Sequence, residues 1–438
     1  MRRLIENQLN NWKQKPSGKS LLIRGARQVG KTYSIRNLGK SFKYFLEVNF
    51  ELESEVHKFF QSDLDPDVIC TNLSAYYNIP VKDGETLLFL DEIQACPPAI
   101  TSLWSFHEKR PGLHVAAAGS LLEFTIKDLP SFGLGRIESL YMYPLSFDEF
   151  LLALGQDALF EVKQQASPSN PLNPALHNKL VNILKQFLLT GGLPEAVKTF
   201  VETSDLQEVQ VVLDQLITGL EDDFSKYKKH VPVSRIREVF NSIVYQSGNK
   251  FILSKATLSA NHKQINETLQ LLEMAGLAYK VHHTSANGLP LGAAVSPNKF
   301  KVILFDHGIF QRILGLNLSE HLLADDFSTI NKGNLTEQYV GMEFVKNFSP
   351  YGKPRLYYWH REKRGSNAEV DYLLQLNTNI IPVEVKSGTQ GKMQSLYLFM
   401  KEKNIPAGIR ISLENFSHYN SIHVFPLYGV ENIFNHFT

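Results

Sequence analysis

The chain has 438 residues, of which 43% are hydrophobic and 20% charged, and this balance excludes an intrinsically disordered protein. A chain of this length exceeds what one hydrophobic core usually supports, so two or three domains are expected. The formal net charge is only +1, which excludes nucleic-acid binding by overall basicity and leaves it to a local basic patch.

Cysteine usage and hydropathy indicate the compartment. The two cysteines, Cys70 and Cys96, have a spacing that argues against a disulfide framework or a zinc site. The first residues lack the apolar core of a signal peptide, and no stretch approaches the ~18 consecutive apolar residues of a membrane span. The sequence therefore predicts a cytoplasmic protein without a membrane segment.

A phosphate-binding loop is the first motif along the chain. Residues 25–32 read Gly-Ala-Arg-Gln-Val-Gly-Lys-Thr, a complete G-x-x-x-x-G-K-[ST] pattern, and the apolar run before it predicts the strand that such a loop leaves. The glycines let backbone N–H groups surround phosphates, the lysine reaches the terminal phosphates, and the threonine hydroxyl binds Mg²⁺. The pattern predicts binding of ATP or GTP. The candidate nucleotide-binding residues are Gly25, Ala26, Arg27, Gln28, Val29, Gly30, Lys31, Thr32 and Tyr33.

Apolar runs separated by helix-length segments predict a parallel α/β sheet flanked by helices. The runs that we interpret as its strands are Leu21–Ile23, Tyr44–Val48, Leu87–Leu90 and His114–Ala118. The third run ends in Asp91 and Glu92, at the sheet edge where ligands bind. In a Walker B motif, Asp91 holds Mg²⁺ and Glu92 acts as general base on the attacking water. The alternative is that the pair only caps a helix.

Two more polar residues are candidates for the hydrolytic site. Ser120 follows the fourth strand, where a small polar residue contacts the γ-phosphate or positions water in ATPases of this layout, and a helix N-cap is the alternative. Arg136 is a candidate for neutralising transition-state charge in its own or a neighbouring subunit. The alternative for Arg136 is an exposed loop arginine.

The order of these motifs resembles one family of ATPases. The phosphate loop is followed by FLDEIQ at 89–94, GS at 119–120, GR at 135–136 and PLSFDEF at 144–150, as in the prokaryotic AAA-type ATPases of the archaeal ATPase group. The resemblance implies a P-loop core at 1–150, a helical lid at 151–228 and ATP with Mg²⁺ as cofactors. The lid lacks an obvious second arginine sensor, so the oligomeric state stays open.

The pattern of residues 229–310 resembles a winged helix-turn-helix. Apolar residues recur at near-helical spacing on one face, namely Ile265, Leu269, Leu272 and Leu277. In DNA-binding proteins of this class the third helix enters the major groove. Its polar face here carries few cations for phosphate contacts. DNA binding and a scaffold or protein-contact role are therefore both open.

A charged pattern predicts a second site within residues 311–438. Two strand-like segments, 369–376 and 380–388, are joined by a polar turn. Period-two alternation places two charged pairs on strand faces, Glu369 with Asp371 and Glu384 with Lys386. Carboxylates and a lysine are what metal-assisted phosphodiester cleavage requires. The alternative is a binding module in which the charges form salt bridges.

The spacing of these charges resembles the PD-(D/E)xK nuclease superfamily. That superfamily places a further acidic residue on the preceding helix, where this chain has Glu337. The resemblance implies a restriction-endonuclease-like α/β domain and a second divalent metal. The candidate residues of this nuclease-like site are Glu337, Asp371, Glu384 and Lys386.

Three functional hypotheses follow. The first is a Mg²⁺-dependent ATPase whose nucleotide state moves the winged-helix and nuclease-like domains, with DNA as their partner. The second is an ATP-gated, metal-dependent DNA nuclease. The third is a non-catalytic ATP-binding switch or scaffold with a protein partner or as a homo-oligomer.

Overall fold

A five-stranded parallel sheet organises the first part of the chain, with the strand order β2-β3-β4-β1-β5. The computed structural model describes residues 1–15, 18–61, 64–120, 122–128, 135–227, 231–316, 333–361 and 367–437. The strands are β1 (Ser20–Arg24), β2 (Tyr44–Asn49), β3 (Thr86–Asp91), β4 (His114–Ala118) and β5 (Ile137–Tyr141). The parallel α/β sheet is therefore confirmed, and β5 is added to the four predicted strands.

Helices cover both faces of this sheet. They are α1 (Glu6–Gln14), α2 (Lys31–Gly39), α3 (Pro66–Tyr77), α4 (Pro97–Lys109) and α5 (Leu122–Asp128). Because side chains alternate along a strand, Leu21 and Ile23 join the core that contains α1 and α2, whereas Leu22 joins the core that contains α3 and α4. The ends of the strands are thus fixed between two packed layers.

A group of helices follows the first sheet, in the region predicted as the lid. They are α6 (Phe147–Ala153), α7 (Asp157–Gln164), α8 (Pro174–Thr190), α9 (Pro194–Thr203) and α10 (Leu206–Asp223). A capping box between Ser146 and Glu149 starts α6, where each side chain accepts a backbone N–H of the other residue. This cap sets the direction in which the chain leaves the five-stranded sheet.

An eight-stranded sheet organises the C-terminal half, with the order β12-β13-β11-β10-β9-β8-β6-β7. Its strands are β6 (Ala278–Thr284), β7 (Val295–Leu304), β8 (Leu356–His360), β9 (Glu369–Leu376), β10 (Asn379–Val385), β11 (Gly408–Ser412), β12 (Ser417–Tyr419) and β13 (Ile422–Pro426). Its helices are α11 (Val233–Tyr245), α12 (His262–Met274), α13 (His307–Leu314), α14 (Asn334–Asn347), α15 (Gln394–Lys403) and α16 (Val430–Phe437).

The predicted boundary at residues 310 and 311 does not separate two sheets. β6 pairs in parallel with β8, with Val281 opposite Leu356, so β6 and β7, which lie before this boundary, belong to the C-terminal sheet. One continuous apolar core contains Leu9, Phe187, Ile243 and Val383 and thus joins the first sheet, the helices that follow it and the C-terminal sheet. No helix within the described ranges is both long and apolar enough to cross a membrane.

Candidate functional site

The phosphate loop lies at the carboxyl end of β1 and leads directly into α2. Gly25 has φ +143°, and a Cβ at this position would lie 2.1 Å from the carbonyl oxygen of Met142, so the loop requires glycine there. Gly30 has φ +96° and immediately precedes the first turn of α2. The two glycines therefore produce the backbone curl that the motif predicts.

Lys31 is buried over its own loop. Its Nζ donates to the carbonyl oxygens of Gly25 at 3.0 Å and Ala26 at 2.7 Å. Burial lowers the pKa of Lys31 to about 8, although Glu92 and Asp91 favour the charged form. The ammonium is thus held where a phosphate group in the loop would reach it.

Thr32 and Asp91 meet across the site. The Thr32 hydroxyl donates to the Asp91 carboxylate, at 3.1 Å to Oδ2 and 3.3 Å to Oδ1. Burial and the neighbouring charge of Glu92 raise the pKa of Asp91 to about 6. A hydroxyl and a carboxylate are oxygen donors of the kind that Mg²⁺ prefers, so the two residues fit that ion.

Glu92 adopts an unusual backbone conformation beside Asp91. Its φ is +48°, in the left-handed region that non-glycine residues avoid outside special sites. Its Oε2 accepts a hydrogen bond from Gln94 Nε2 at 2.6 Å. The Glu92 side chain makes no cap hydrogen bond to the short 3-10 helix Ile93–Ala95 that follows, so the helix-cap alternative has no support at this residue.

Gln94 is a site residue to which the sequence patterns assign no role. Besides its bond to Glu92, its Oε1 lies so close to Gly119 that a Cβ there would approach it to 2.1 Å. Gln94 therefore connects the end of β3 with the end of β4, where Ser120 follows. The signal available in the sequence was its position in FLDEIQ, two residues after the glutamate.

Arg27 joins the loop to Ser120 and to the predicted lid. Its Nε donates to Ser120 Oγ at 3.1 Å, and its guanidinium forms an ion pair with Asp223 at the end of α10. Glu51 lies 3.7 Å from the same guanidinium. The sequence predicted Arg27 as a nucleotide-binding residue of the loop but gave its side chain no separate role, because this variable position of the motif has none.

Arg136 lies at the other edge of the sheet. It precedes β5, whose first residue Ile137 pairs with Ser20 at the start of β1, whereas the phosphate loop leaves the far end of β1. Its Nε pairs with Glu108 at 2.7 Å, and its guanidinium lies 4.9 Å from the ring centroid of Trp104. Arg136 therefore lies away from the phosphate loop of its own chain, and a contact with the nucleotide of a neighbouring subunit stays a prediction.

Two residues near the amino end, Met1 and Arg3, form hydrogen bonds to α2 and to the phosphate loop. The hydroxyl of Tyr33, a predicted nucleotide contact, accepts a hydrogen bond from the Met1 amino group at 3.0 Å. Buried Arg3 donates to the carbonyl oxygen of Val29 at 2.7 Å and pairs with Glu149 at 2.8 Å. Arg3 thereby fastens the loop to the start of α6, and the sequence patterns gave no indication of it.

The predicted nuclease-like residues also come together, on the C-terminal sheet. Val383 pairs with Tyr372, which places Glu384 beside Asp371 on neighbouring strands. Asp371 Oδ2 accepts from Val385 N at 2.8 Å, and Lys386 Nζ pairs with Glu384 at 2.6 Å. Burial and the charge of Asp371 raise the pKa of Glu384 to about 7. The expected convergence of charges is thus present.

Lys301 is the residue that the sequence patterns missed in this cluster. It projects from β7, is only 2% exposed, and places its ammonium 2.8 Å from Glu337 and 2.5 Å from Glu369. Burial alone would disfavour its charge, but Glu337, Glu369 and Asp371 raise the pKa of Lys301 well above its usual value. Lys301 is therefore a permanent cation among the carboxylates.

The charged cluster does not fit the expected second metal. Each of its four carboxylates already has a lysine or backbone N–H partner. Within the part of the chain that the structure describes, no three His, Cys, Asp or Glu residues are grouped to hold a metal ion. A divalent ion here would compete with lysine cations that the chain itself supplies.

Comparisons with known families agree with the nucleotide site. Residues 17–151 match the family described as AAA domain. With the phosphate loop and the parallel sheet, this match identifies a P-loop ATPase, a class whose activity is ATP binding and hydrolysis. Residues 181–320 match Domain of unknown function (DUF8612), and residues 332–429 match Domain of unknown function (DUF4143).

Two solved structures show a distant similarity to this chain. The Walker-type ATPase PABY2304 of Pyrococcus abyssi is 15% identical, with 72% of this chain and 95% of that chain covered and a TM-score of 0.46. PCH-2 of C. elegans is 13% identical, with 47% of this chain and 64% of that chain covered and a TM-score of 0.24. A comparison with curated proteins gives no match.

Proposed function

We propose that the protein hydrolyses ATP with Mg²⁺ and that its nucleotide state alters the contact between the phosphate loop and the C-terminal half. The observation that carries the hydrolytic part is the hydrogen bond between Thr32 and Asp91, two residues 59 positions apart in the chain. It brings the phosphate loop and the Walker B carboxylates into one site. The preference for adenine rests on the family resemblance.

Each side chain of this site has a role in the proposed reaction. Loop N–H groups and Lys31 bind the phosphates, and Thr32 and Asp91 hold the metal. Mg²⁺, when bound, neutralises charge on the phosphate oxygens. Glu92 accepts a proton from the attacking water, and its hydrogen bond with Gln94 orients the carboxylate.

A direct contact supports transmission to the C-terminal half. The turn between α12 and β6 contains Gly276 at φ +73°, and a Cβ there would lie 3.1 Å from the backbone nitrogen of Ala26 in the phosphate loop. The turn and the loop therefore approach so closely that a side-chain carbon at Gly276 would press on the loop backbone, and movement of the loop on nucleotide binding would change this contact.

Gly276→Ala should weaken ATP binding about tenfold, because the new methyl group presses on Ala26, and about 1.4 kcal/mol corresponds to that change. Titration with a fluorescent ATP analogue measures the effect. Gly315→Ala is the matched control: Gly315 has φ +69°, but no atom lies within 4 Å of its added Cβ. Equal ATP affinity in the wild type, Gly276→Ala and Gly315→Ala would show that this contact does not couple the phosphate loop to the C-terminal half.

For the C-terminal cluster, we infer a binding module and not a metal-dependent nuclease. The inference is supported by Lys301, whose ammonium lies between Glu337 and Glu369 at 2.8 and 2.5 Å. Two observations favour the nuclease alternative. Asp371 lies beside Glu384, and the buried Oε2 of Glu384 has no hydrogen-bond partner among the described residues. The lysine contacts outweigh it, because separating a buried ammonium from its carboxylates is strongly unfavourable.

The binding module predicts that supercoiled plasmid stays intact when it is incubated with the wild-type protein, ATP and either Mg²⁺ or Mn²⁺. The Asp371→Asn variant should give the same result. The readout is nicking and linearisation on a gel. Asp371→Asn is a suitable partner because the amide oxygen can still accept the Val385 N–H bond. Cleavage by the wild type that disappears in Asp371→Asn would contradict the binding module and establish the nuclease.

A further inference from the structure

Arg27 is a cation of the phosphate loop that the proposed reaction has not used. Its side chain is 24% exposed, and its Nε is held by Ser120 Oγ at 3.1 Å. The guanidinium forms its ion pair with Asp223 through Nη1, and its Nη2 lies near Glu51. Ser120 therefore holds the Nε end of the guanidinium, while its two terminal NH₂ groups face the carboxylates of Asp223 and Glu51.

The charge of Arg27 acts on the nucleotide site directly. Although burial opposes it, Asp223 and Glu92 raise the pKa of Arg27. The same guanidinium contributes to the lowered pKa of Lys31. Arg27 thus lies within electrostatic reach of the phosphate-binding lysine and of the proposed general base.

Asp223 does not depend on Arg27 alone. Lys226 lies 3.4 Å from the Asp223 carboxylate and 4.0 Å from Glu51. If the guanidinium turned away, both carboxylates would keep a lysine partner. Release of Arg27 therefore avoids the cost of leaving a partly buried carboxylate without a cation.

We propose that Arg27 is a catalytic residue, which turns from Asp223 to the terminal phosphate of bound ATP and stabilises the charge of the transition state from within the same chain. The proposal rests on the ATP hydrolysis proposed above. A terminal phosphate carries more negative charge than the Asp223 carboxylate and offers the planar guanidinium two oxygens. This rotation of Arg27 would also release Asp223 at the end of α10, so that ATP binding would change the contacts of the helices that follow.

The test compares Arg27→Ala, Arg27→Lys and Asp223→Asn by phosphate release at saturating ATP and by ATP affinity. Arg27→Ala should lower kcat at least about a thousandfold, the smaller end of the effects of arginine fingers, with ATP affinity changed less than about fivefold. Arg27→Lys keeps a cation for Asp223 but loses the two-oxygen contact, so kcat should fall at least about tenfold at an unchanged melting temperature. Asp223→Asn should keep kcat at or above the wild-type value, because it only releases the guanidinium.

Arg237→Ala is the matched control, because Arg237 pairs with Glu221 on α10 at 2.8 Å and makes no contact with the loop. A purely structural ion pair would make Arg27→Ala and Asp223→Asn lose the same activity, and that result would overturn the proposal. Unchanged kcat in Arg27→Ala and Arg27→Lys would overturn it as well. Because the wild type would still hydrolyse ATP, that result would leave the proposed function in place. A wild type that releases no phosphate would overturn both.

Discussion

Lys31→Ala should abolish detectable ATP binding. The ammonium lies over the phosphate loop, held by the carbonyl oxygens of Gly25 and Ala26 at 3.0 and 2.7 Å, so its loss removes the cation that faces the phosphates. Two charge-assisted hydrogen bonds together contribute about 3 to 6 kcal/mol, which corresponds to a loss of affinity of at least about a hundredfold. Calorimetric titration with ATP and Mg²⁺ measures it.

A second lysine on the same helix segment provides the control for Lys31→Ala. Lys40 caps the carboxyl end of α2 and is exposed, so Lys40→Ala removes an equal charge without touching the loop. Its ATP affinity should match that of the wild type, and both variants should retain their melting temperature within a few degrees. Unchanged ATP affinity in Lys31→Ala would show that the loop is not the nucleotide site.

Glu92→Gln should retain ATP but stop turnover. The amide has the size of the carboxylate and can still accept the hydrogen bond from Gln94, so the site keeps its shape. It cannot take a proton from water, and the loss of a general base typically lowers kcat by about 10² to 10⁴. Phosphate release and ATP titration on the same preparation separate the two effects.

Glu85→Gln is the control for Glu92→Gln, because Glu85 directly precedes β3 at the edge of the sheet opposite Glu92 and pairs with Lys43 on the surface. Its turnover should equal that of the wild type. If Glu92→Gln also kept wild-type turnover, Glu92 would not be the base, and another group would have to activate the water.

The nucleotide site could be predicted because its signals are local. The phosphate loop is one contiguous octet, and β3 is an apolar run that ends in Asp91 and is followed directly by Glu92. The four predicted strands are all present in the sheet. β5 was not among them, because it is an edge strand with only Leu140 fully buried and so lacks a continuous apolar run.

Features that depend on distant pairing could not be predicted. Lys301 reaches Glu337 and Glu369 from a different strand, and no spacing in the chain records that meeting. The parallel pairing of β6 with β8 also joins segments whose patterns indicate strands but not partners. The location of Arg136 could not be predicted for a related reason: its sequence position gives the strand that it precedes, but not which edge of the sheet that places it on.

Phosphate release from ATP by the purified wild-type protein, with Mg²⁺ and after its chelation, tests the central claim most directly. The proposed site predicts steady release that requires Mg²⁺ and disappears with Glu92→Gln. Binding of ATP without release above the protein-free background would contradict hydrolysis, and the protein would then be an ATP-binding switch or scaffold.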